Sequence, residues 1–410
     1  MNSASGLASQ AELLVGGTQA FEEICRQIDS AQQSIEINIF IWRNDELGRR
    51  LAHVLLKAAG DPSRPNLRIR IVKDSTGSAF EHAEQNRQSF FHPRLNILER
   101  FKAFFVWYAY HTSETAKSGK QLVSPLAQQI MKHPRIECIQ EKRNDHSKYF
   151  IFDDRILICG GMNIAAEYCR WHDYMVKFEG EEVVRLLQQR LKGEKNEPES
   201  SVRFIINSWY PGFRRLERRE IKPELLHLIS QAEYLQAPLT IEMSYLGDRE
   251  IIDAVLQLAD SGIEVNLIIP QRANVQEDLN RRQIGYIHRK IRKGIIDGQS
   301  LRIFYYPGML HAKLFHVGEI PENKNGVTKH GITCFGSSNI NKKSLLKLAE
   351  LNIYIDDAAC SFTRAVKQQL RQDMQNAAQY MSCFDQKGNA CGWEAPLRYD
   401  RLVAFVEGIV

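Results

Sequence analysis

The sequence predicts an α/β protein of two similar halves, each an α-β-α unit on a mixed β-sheet, that together form one active site. Two observations carry this reading. One motif occurs twice: His146-Ser147-Lys148 lies upstream of Gly160-Gly161-Met162-Asn163, and His311-Ala312-Lys313 lies upstream of Gly336-Ser337-Ser338-Asn339. The surrounding pattern is doubled as well. A strand, a helix, a glycine stop, a second strand and then H-x-K follow in the same order in each half.

In the first half, residues 35–41 alternate as a strand. Residues 46–59 follow as a helix that stops at Gly60, and 67–72 form the second strand. In the second half, residues 239–245, 250–261 (stopping at Gly262) and 263–269 repeat the series. Strands alternating with helices argue for β-α-β units on a largely parallel or mixed sheet. Tyr149-Phe150-Ile151-Phe152 and Leu314-Phe315 follow the two H-x-K motifs, so each motif opens a buried core strand. Residues 192–201 combine Gly, Pro and charge without an apolar side chain to bury, and they read as an exposed linker. The halves are therefore assigned to 12–191 and 202–410. Residues 361–380 read as a helix, and 388–410 carry no assignable chemistry. With 410 residues, 43% of them hydrophobic, the chain can bury two pseudo-equivalent cores.

The residue types explain the motif. In an extended strand, residues i and i+2 share a face, so His146 projects with Lys148, and His311 with Lys313. Imidazole titrates near neutrality and serves as nucleophile, acid or base. Lysine supplies a point charge, and the Asn163 and Asn339 amides donate hydrogen bonds to phosphate oxygens. Glycine allows close backbone approach or positive φ just before each asparagine. Convergence of the two copies would make a cationic pocket for a phosphate diester.

At these residues the sequence resembles the phospholipase D superfamily, and within it the bacterial cardiolipin synthase branch. The family motif is H-x-K-x4-D followed by G-[GST]-x-N, once per half. His146, Lys148, Asp153 and Asn163 match the first copy in full. Further similarity lies in Ile41-Trp42-Arg43-Asn44-Asp45-Glu46-Leu47-Gly48 and Trp171-His172-Asp173, and the resemblance runs with gaps over about residues 21–373. Gly318 stands where the second motif has its aspartate, and a polar stretch, 319–329, follows as a surface loop. The resemblance implies an acid that hydrogen-bonds each catalytic histidine. Asp173 lies 27 residues after His146 (173 − 146), and Glu350 lies 39 after His311 (350 − 311), or about 27 without the extra loop.

The implied chemistry is attack by one histidine on a diester phosphorus, giving a phosphohistidine, while the other protonates the leaving alcohol and then activates the acceptor. Lys148, Lys313, Asn163 and Asn339 would stabilise the equatorial oxygens. No metal or cofactor is expected, because the lysines supply the charge. Water as acceptor gives hydrolysis; a lipid hydroxyl gives phosphatidyl transfer, in this family between two phosphatidylglycerol molecules. The family favours His146 as nucleophile, whereas the residues alone do not rank the two. The substrate expectation is phosphatidylglycerol or another anionic phospholipid. The rivals are a nuclease of the same superfamily acting on nucleic acid and an inactive lipid-binding pseudoenzyme. His92, His172, His227 and His316 read as ordinary core or surface residues.

A net charge of +5 suits an anionic lipid surface or a nucleic acid and decides neither. The eight cysteines form no C-x-x-C, which argues against a zinc or redox motif, and Cys159 and Cys334 sit in apolar strand context as free thiols of a reducing compartment. The N-terminus lacks the features of a signal peptide, and no apolar run approaches the ~20 residues of a membrane span. The expectation is a cytoplasmic protein with peripheral membrane association. His146 lies 86 residues after Gly60 (146 − 60), whereas His311 lies 49 after Gly262 (311 − 262). The excess falls at about 80–123, where Ile97, Phe101, Phe104, Phe105 and Tyr108 share a helical stripe. It reads equally as an interfacial helix or a core helix, with Phe104 and Phe105 as candidate lipid contacts. Arg281 and Arg282 belong to a basic segment that reads as a solvated helix face or a headgroup site.

Overall fold

A computed structural model of the chain describes residues 6–77, 89–91, 124–196, 200–209, 216–273, 277–321, 329–377 and 379–382. The first half contains α1 (Gly6–Ser9), β1 (Ala11–Val15), α2 (Gly16–Ser30), β2 (Ser34–Ile39), α3 (Glu46–Gly60), β3 (Arg68–Asp74) and α4 (Pro125–Lys132), then β4 (Ile136–Glu141), β5 (Tyr149–Phe152), β6 (Ile156–Gly160), β7 (Tyr174–Glu179) and α5 (Glu181–Lys192). The second contains β8 (Val202–Trp209), β9 (Leu216–Arg219), α6 (Ile221–Leu235), β10 (Leu239–Met243), α7 (Arg249–Asp260), β11 (Val265–Pro270) and α8 (Glu277–Arg292). It ends with β12 (Leu301–Tyr306), β13 (Lys313–Val317), β14 (Ile332–Gly336), α9 (Lys342–Leu346), β15 (Glu350–Asp356), α10 (Ser361–Asn376) and β16 (Gln379–Ser382).

The duplication is visible in strand order. One sheet runs β1-β7-β6-β5-β2-β3-β4 and the other β16-β12-β11-β10-β13-β14-β15-β8-β9. Read from β7 and from β15, the orders are the same: β7-β6-β5-β2-β3-β4 against β15-β14-β13-β10-β11-β12. Both sheets are mixed. β2 pairs parallel to β3 and antiparallel to β5, as β10 pairs parallel to β11 and antiparallel to β13. The register fixes equivalent residues. Asn38 lies opposite Tyr149 and Glu242 opposite Leu314, so Asn38 and Glu242 occupy the same place in the two halves.

The continuous apolar strands are explained by burial on both faces. In β5, Phe150 and Phe152 join the helix-covered core of the first sheet. Tyr149 and Ile151 point the other way, into a third core that also takes Phe204, Leu314, Phe335 and Ile353 from the second sheet. The two sheets therefore share a central core, in addition to the two cores expected from the sequence. The expected helix at 361–380 ends at Asn376; Gln379–Ser382 instead pairs antiparallel with β12, capping that sheet edge. Among the described residues no helix is long and apolar enough to cross a membrane, and the six described cysteines are free thiols. The stripe at 97–108, with Phe104 and Phe105, lies outside the described residues, as does most of the 319–329 loop.

The missing aspartate of the second motif has a structural account. The Asp153 carboxylate accepts from the backbone N–H groups of Gln32, Gln33 and Ser34, 2.7–3.1 Å away, and so clamps the entry to β2. Gly318 takes the same place: Asp153 N donates to Ser34 O and Gly318 N to Pro238 O, both at 2.9 Å. Pro238 has no N–H, and the amides before it are already bonded to the end of α6, Ala237 N to Ala232 O and Gln236 N to Glu233 O. An aspartate at 318 would find none of the three backbone donors that hold Asp153.

Candidate active site

The two H-x-K segments lead into the central strands β5 and β13, and short backbone bridges tie each to the other half. His146 N donates to Ala349 O at 2.8 Å, and His311 N donates to His172 O at 2.7 Å. Each accepting carbonyl belongs to the residue just before an acid. The side chains then cross over. His146 Nδ1 lies 3.0 Å from Glu350 Oε2, and His311 Nδ1 lies 2.7 Å from Asp173 Oδ2. Each imidazole is thus held by the carboxylate of the opposite half. The sequence offers both acids but leaves the partner of each open.

The small residues of G-[GST]-x-N serve these acids. A Cβ on Gly161 would meet Asp173 Oδ1 at 2.6 Å, so only glycine leaves room for that carboxylate. In the second copy Ser337 takes the place, and its hydroxyl donates to Glu350 Oε2 at 2.5 Å while accepting from Leu351 N at 3.0 Å. Asp173 Oδ1 accepts from Tyr174 N at 2.8 Å. Both acids are anchored on one oxygen, which fixes the ring each one faces.

The lysines are buried and crowd the histidines. Lys148 Nζ bonds the His146 carbonyl and lies 5.7 Å from the Phe40 ring centroid. Lys313 Nζ lies 3.3 Å from Ser244 Oγ and 2.9 Å from His311 Nδ1. Burial pushes Lys148 down to about 7 and Lys313 down to about 8. Burial, and then Lys313, push His311 down to about 4. His146 is lowered too, chiefly by burial, with Glu350 opposing. Lys313 acts on His146 and Lys148, and Lys148 acts on His311, so the two motifs lie within one electrostatic neighbourhood. Burial is the first cause in both lysines, with Glu350 and Asp173 opposing it, and an anion bound here would favour their charged forms.

The asparagines differ. Asn163 is held on both sides, accepting from Ile41 N at 2.9 Å and donating to Tyr168 OH at 2.9 Å. Asn339 Oδ1 is buried without a partner. The two imidazoles also have different walls. Trp171 stacks on His311 at 5.5 Å between centroids and Tyr168 meets it edge-on at 5.1 Å, whereas Phe40 meets His146 edge-on at 4.8 Å. Sequence reasoning did not single out Phe40, Tyr168 and Trp171 as a wall or Ser337 as a buttress; Ser337 carried a signal as the variable position of the motif, and Trp171 as part of the family-like run Trp171-His172-Asp173. Arg281 and Arg282 are half-buried on α8. The preceding Asn280 bonds Leu246 N and Ser244 O, which places that end of the helix beside the Lys313 partner Ser244. The rest of the basic run is partly a solvated face, with Lys290 bonded to Asp253.

Comparison with known proteins agrees with this construction. The family profile described as "Cardiolipin synthase, PLD-like domain" matches residues 24–194 and 225–377. The chain belongs to this family of the phospholipase D superfamily. A cardiolipin synthase of Listeria monocytogenes serotype 4a is 24% identical over 376 residues, covering 85% of this chain and 65% of the relative. The chain thus spans about two thirds of the length of such relatives. Cardiolipin synthase 2 of Staphylococcus epidermidis is 22% identical over 440 residues, covering 100% of this chain and 75% of its own. Among solved structures, phosphatidylserine synthase of Haemophilus influenzae superposes with a TM-score of 0.60 at 14% identity, covering 92% of this chain and 90% of that one. Polyphosphate kinase of Porphyromonas gingivalis superposes with a TM-score of 0.53 at 12% identity, covering 99% of this chain and 55% of that one. These likenesses establish the fold.

Proposed function

We propose that this protein is a phosphatidyltransferase of the cardiolipin synthase type, acting on glycerophospholipid phosphodiesters, with hydrolysis when water replaces the acceptor alcohol. The observation that carries the proposal is the crossed pairing of His146 with Glu350 and His311 with Asp173, beside two buried lysines. Each acid leaves Nε2 of its imidazole as the reactive nitrogen. A neutral ring attacks phosphorus, and the P–O bond to the leaving alcohol breaks as the other ring donates a proton to that oxygen. The second ring then removes the proton of the acceptor hydroxyl, whose oxygen displaces the histidine. By family resemblance the nucleophile is His146 and the acid–base group His311, which is lowered to about 4 in the free site and takes up its proton as the anionic diester binds. Lys148 and Lys313 neutralise the diester and the charge that builds on its equatorial oxygens, aided by Asn163 and Asn339.

The same reading divides the chain at residues 192–201 and takes the lipid from a membrane surface, with Arg281, Arg282, Phe104 and Phe105 as candidate contacts. The relatives named cardiolipin synthase support a phospholipid over a nucleic acid. The test is incubation of the purified protein with labelled phosphatidylglycerol vesicles and chromatography of the lipids. The proposal expects cardiolipin and glycerol, with phosphatidic acid as the hydrolytic side product. Cleavage of nucleic acid without any lipid product would overturn it.

A further inference from the structure

Behind His311 lies a second buried group of polar side chains that the transfer chemistry does not use. His172 Nε2 lies 2.8 Å from Tyr174 OH and 3.0 Å from Asp373 Oδ2. Tyr174 OH lies 2.6 Å from Glu242 Oε2 and 2.9 Å from Asp373 Oδ2. The four residues come from the turn before β7, from β7, from β10 and from α10, so they join both sheets and the C-terminal helix. We propose that His172, Glu242 and Asp373, with the Tyr174 hydroxyl beside them, form a binding site for one divalent transition-metal cation such as Zn²⁺ or Mn²⁺, separate from the phosphate site.

Three observations carry this. The first is span: one ligand atom from each of His172, Glu242 and Asp373 lies within 4.8 Å of the others. Donors placed about 2.0–2.2 Å from a shared ion fit within that distance, and one imidazole with two carboxylates is a donor set such ions accept. The second is a shortage of protons. With a neutral imidazole and ionised acids, Tyr174 OH and one imidazole N–H offer two hydrogens for four short contacts. Among the described residues neither carboxylate is paired with a lysine or arginine, and Glu242 Oε1 is fully buried without a hydrogen-bond partner. Two buried carboxylates sharing one imidazole are poorly compensated, and a cation supplies the missing charge. The third is asymmetry. The pseudo-equivalent positions in the other half hold Asn38, Ala349 and Leu351, so the fold itself does not require this group.

Support around the donors fits a built site. Gln369 Nε2 donates to Asp373 Oδ1 at 3.0 Å, leaving Oδ2 for the cluster, and the His172 ring stacks on Tyr306 at 4.9 Å. A bound ion would fasten α10 and both sheets to the residue whose carbonyl accepts from His311 N and Ala312 N. Its effect is positional.

The rival arrangement is a proton on Glu242 in place of the ion. Burial, and then Asp373, push this carboxyl well above the carboxylate range.

The experiment is metal analysis and titration of the full chain. Chelator-treated protein is titrated with Zn²⁺ and, separately, Mn²⁺, and binding is read by calorimetry and by the shift in melting temperature. The expected result is one tight equivalent per chain for at least one ion, with a rise in melting temperature, and binding weakened about 100-fold or more in Glu242→Gln and in Asp373→Asn. His146→Ala, which removes a side chain that makes no contact with the cluster, keeps the equivalent. Failure of the wild-type protein to bind either ion stoichiometrically overturns the proposal, even if a variant does not fold. So does undiminished binding by folded Glu242→Gln and Asp373→Asn, or a protonated-carboxyl infrared band of wild-type protein that persists in saturating metal and disappears in Glu242→Gln.

Discussion

The carboxylate of Asp173 lies 2.7 Å from Nδ1 of His311, 138 residues further along the chain and in the opposite half. Glu350 reaches back over 204 residues to His146 in the same way. Neither half can assemble a histidine–acid pair alone, so the site exists only at the junction. Asp173→Asn keeps the shape and stabilises the wrong tautomer of His311. It is expected to lower kcat by roughly 10²–10⁴-fold with a smaller change in KM, by analogy with loss of the orienting acid in other histidine sites. Steady-state kinetics on vesicles check this, and an unchanged kcat contradicts it.

The covalent step has its own signature. Rapid acid-free quenching with phosphatidyl-labelled lipid is expected to leave label on histidine. If His146 is the nucleophile, the label should be absent in His146→Ala, whereas in His311→Ala it should form more slowly than in the wild type and then persist, since the second histidine both protonates the leaving group and activates the acceptor. The reverse pattern exchanges the two roles.

Protons should follow the anion into the site. Lys148 and Lys313, lowered to about 7 and about 8, are partly neutral at pH 7.5, and a bound oxyanion restores their charge. Sulfate, which has no proton to lose at this pH, is expected to bind with uptake of at least about one proton per site. Calorimetry in buffers of different ionisation enthalpy measures the number; no uptake would show that both lysines are already charged.

Acid should weaken the fold through His311. Its folded value of about 4 lies below the ordinary 6.5, so between the two the unfolded chain binds more protons. This contribution to stability is complete above about pH 6.5 and is lost as pH falls toward 4. The melting temperature of wild-type protein is expected to drop more steeply over that interval than that of His311→Gln. Parallel curves would refute the assignment.

Restoring the family aspartate should harm this protein. Gly318 has φ +144°, and a Cβ there would lie 2.4 Å from His330 O. Pro238 supplies no N–H for the new carboxylate. Gly318→Asp is therefore expected to lower the melting temperature without raising kcat, and a more stable or more active variant would contradict this.

Much of this architecture was legible in the chain. The doubled motif and the doubled strand–helix–strand order gave the two mixed sheets, because strand and helix periodicities are local properties of the sequence. The crossing of Asp173 to His311 was not legible, since offsets of 27 residues place an acid near its own motif and cannot say which half it faces. The shared core between the sheets was hidden for a related reason. Tyr149-Phe150-Ile151-Phe152 announces burial on both faces but not what covers each face. The strand at Gln379–Ser382 was lost to helical propensity, which an open sheet edge overrides.

The central claim is that two motifs make one site, and turnover by single-histidine variants tests it most directly. Initial rates of phosphatidylglycerol conversion should be measured for wild-type protein, His146→Ala and His311→Ala, with folding of each verified by circular dichroism. Because nucleophile and acid act as a unit, each variant is expected to lose at least about 10³-fold, and the double variant little more. Two variants that each retain about half of the wild-type rate would show two independent sites and contradict the account.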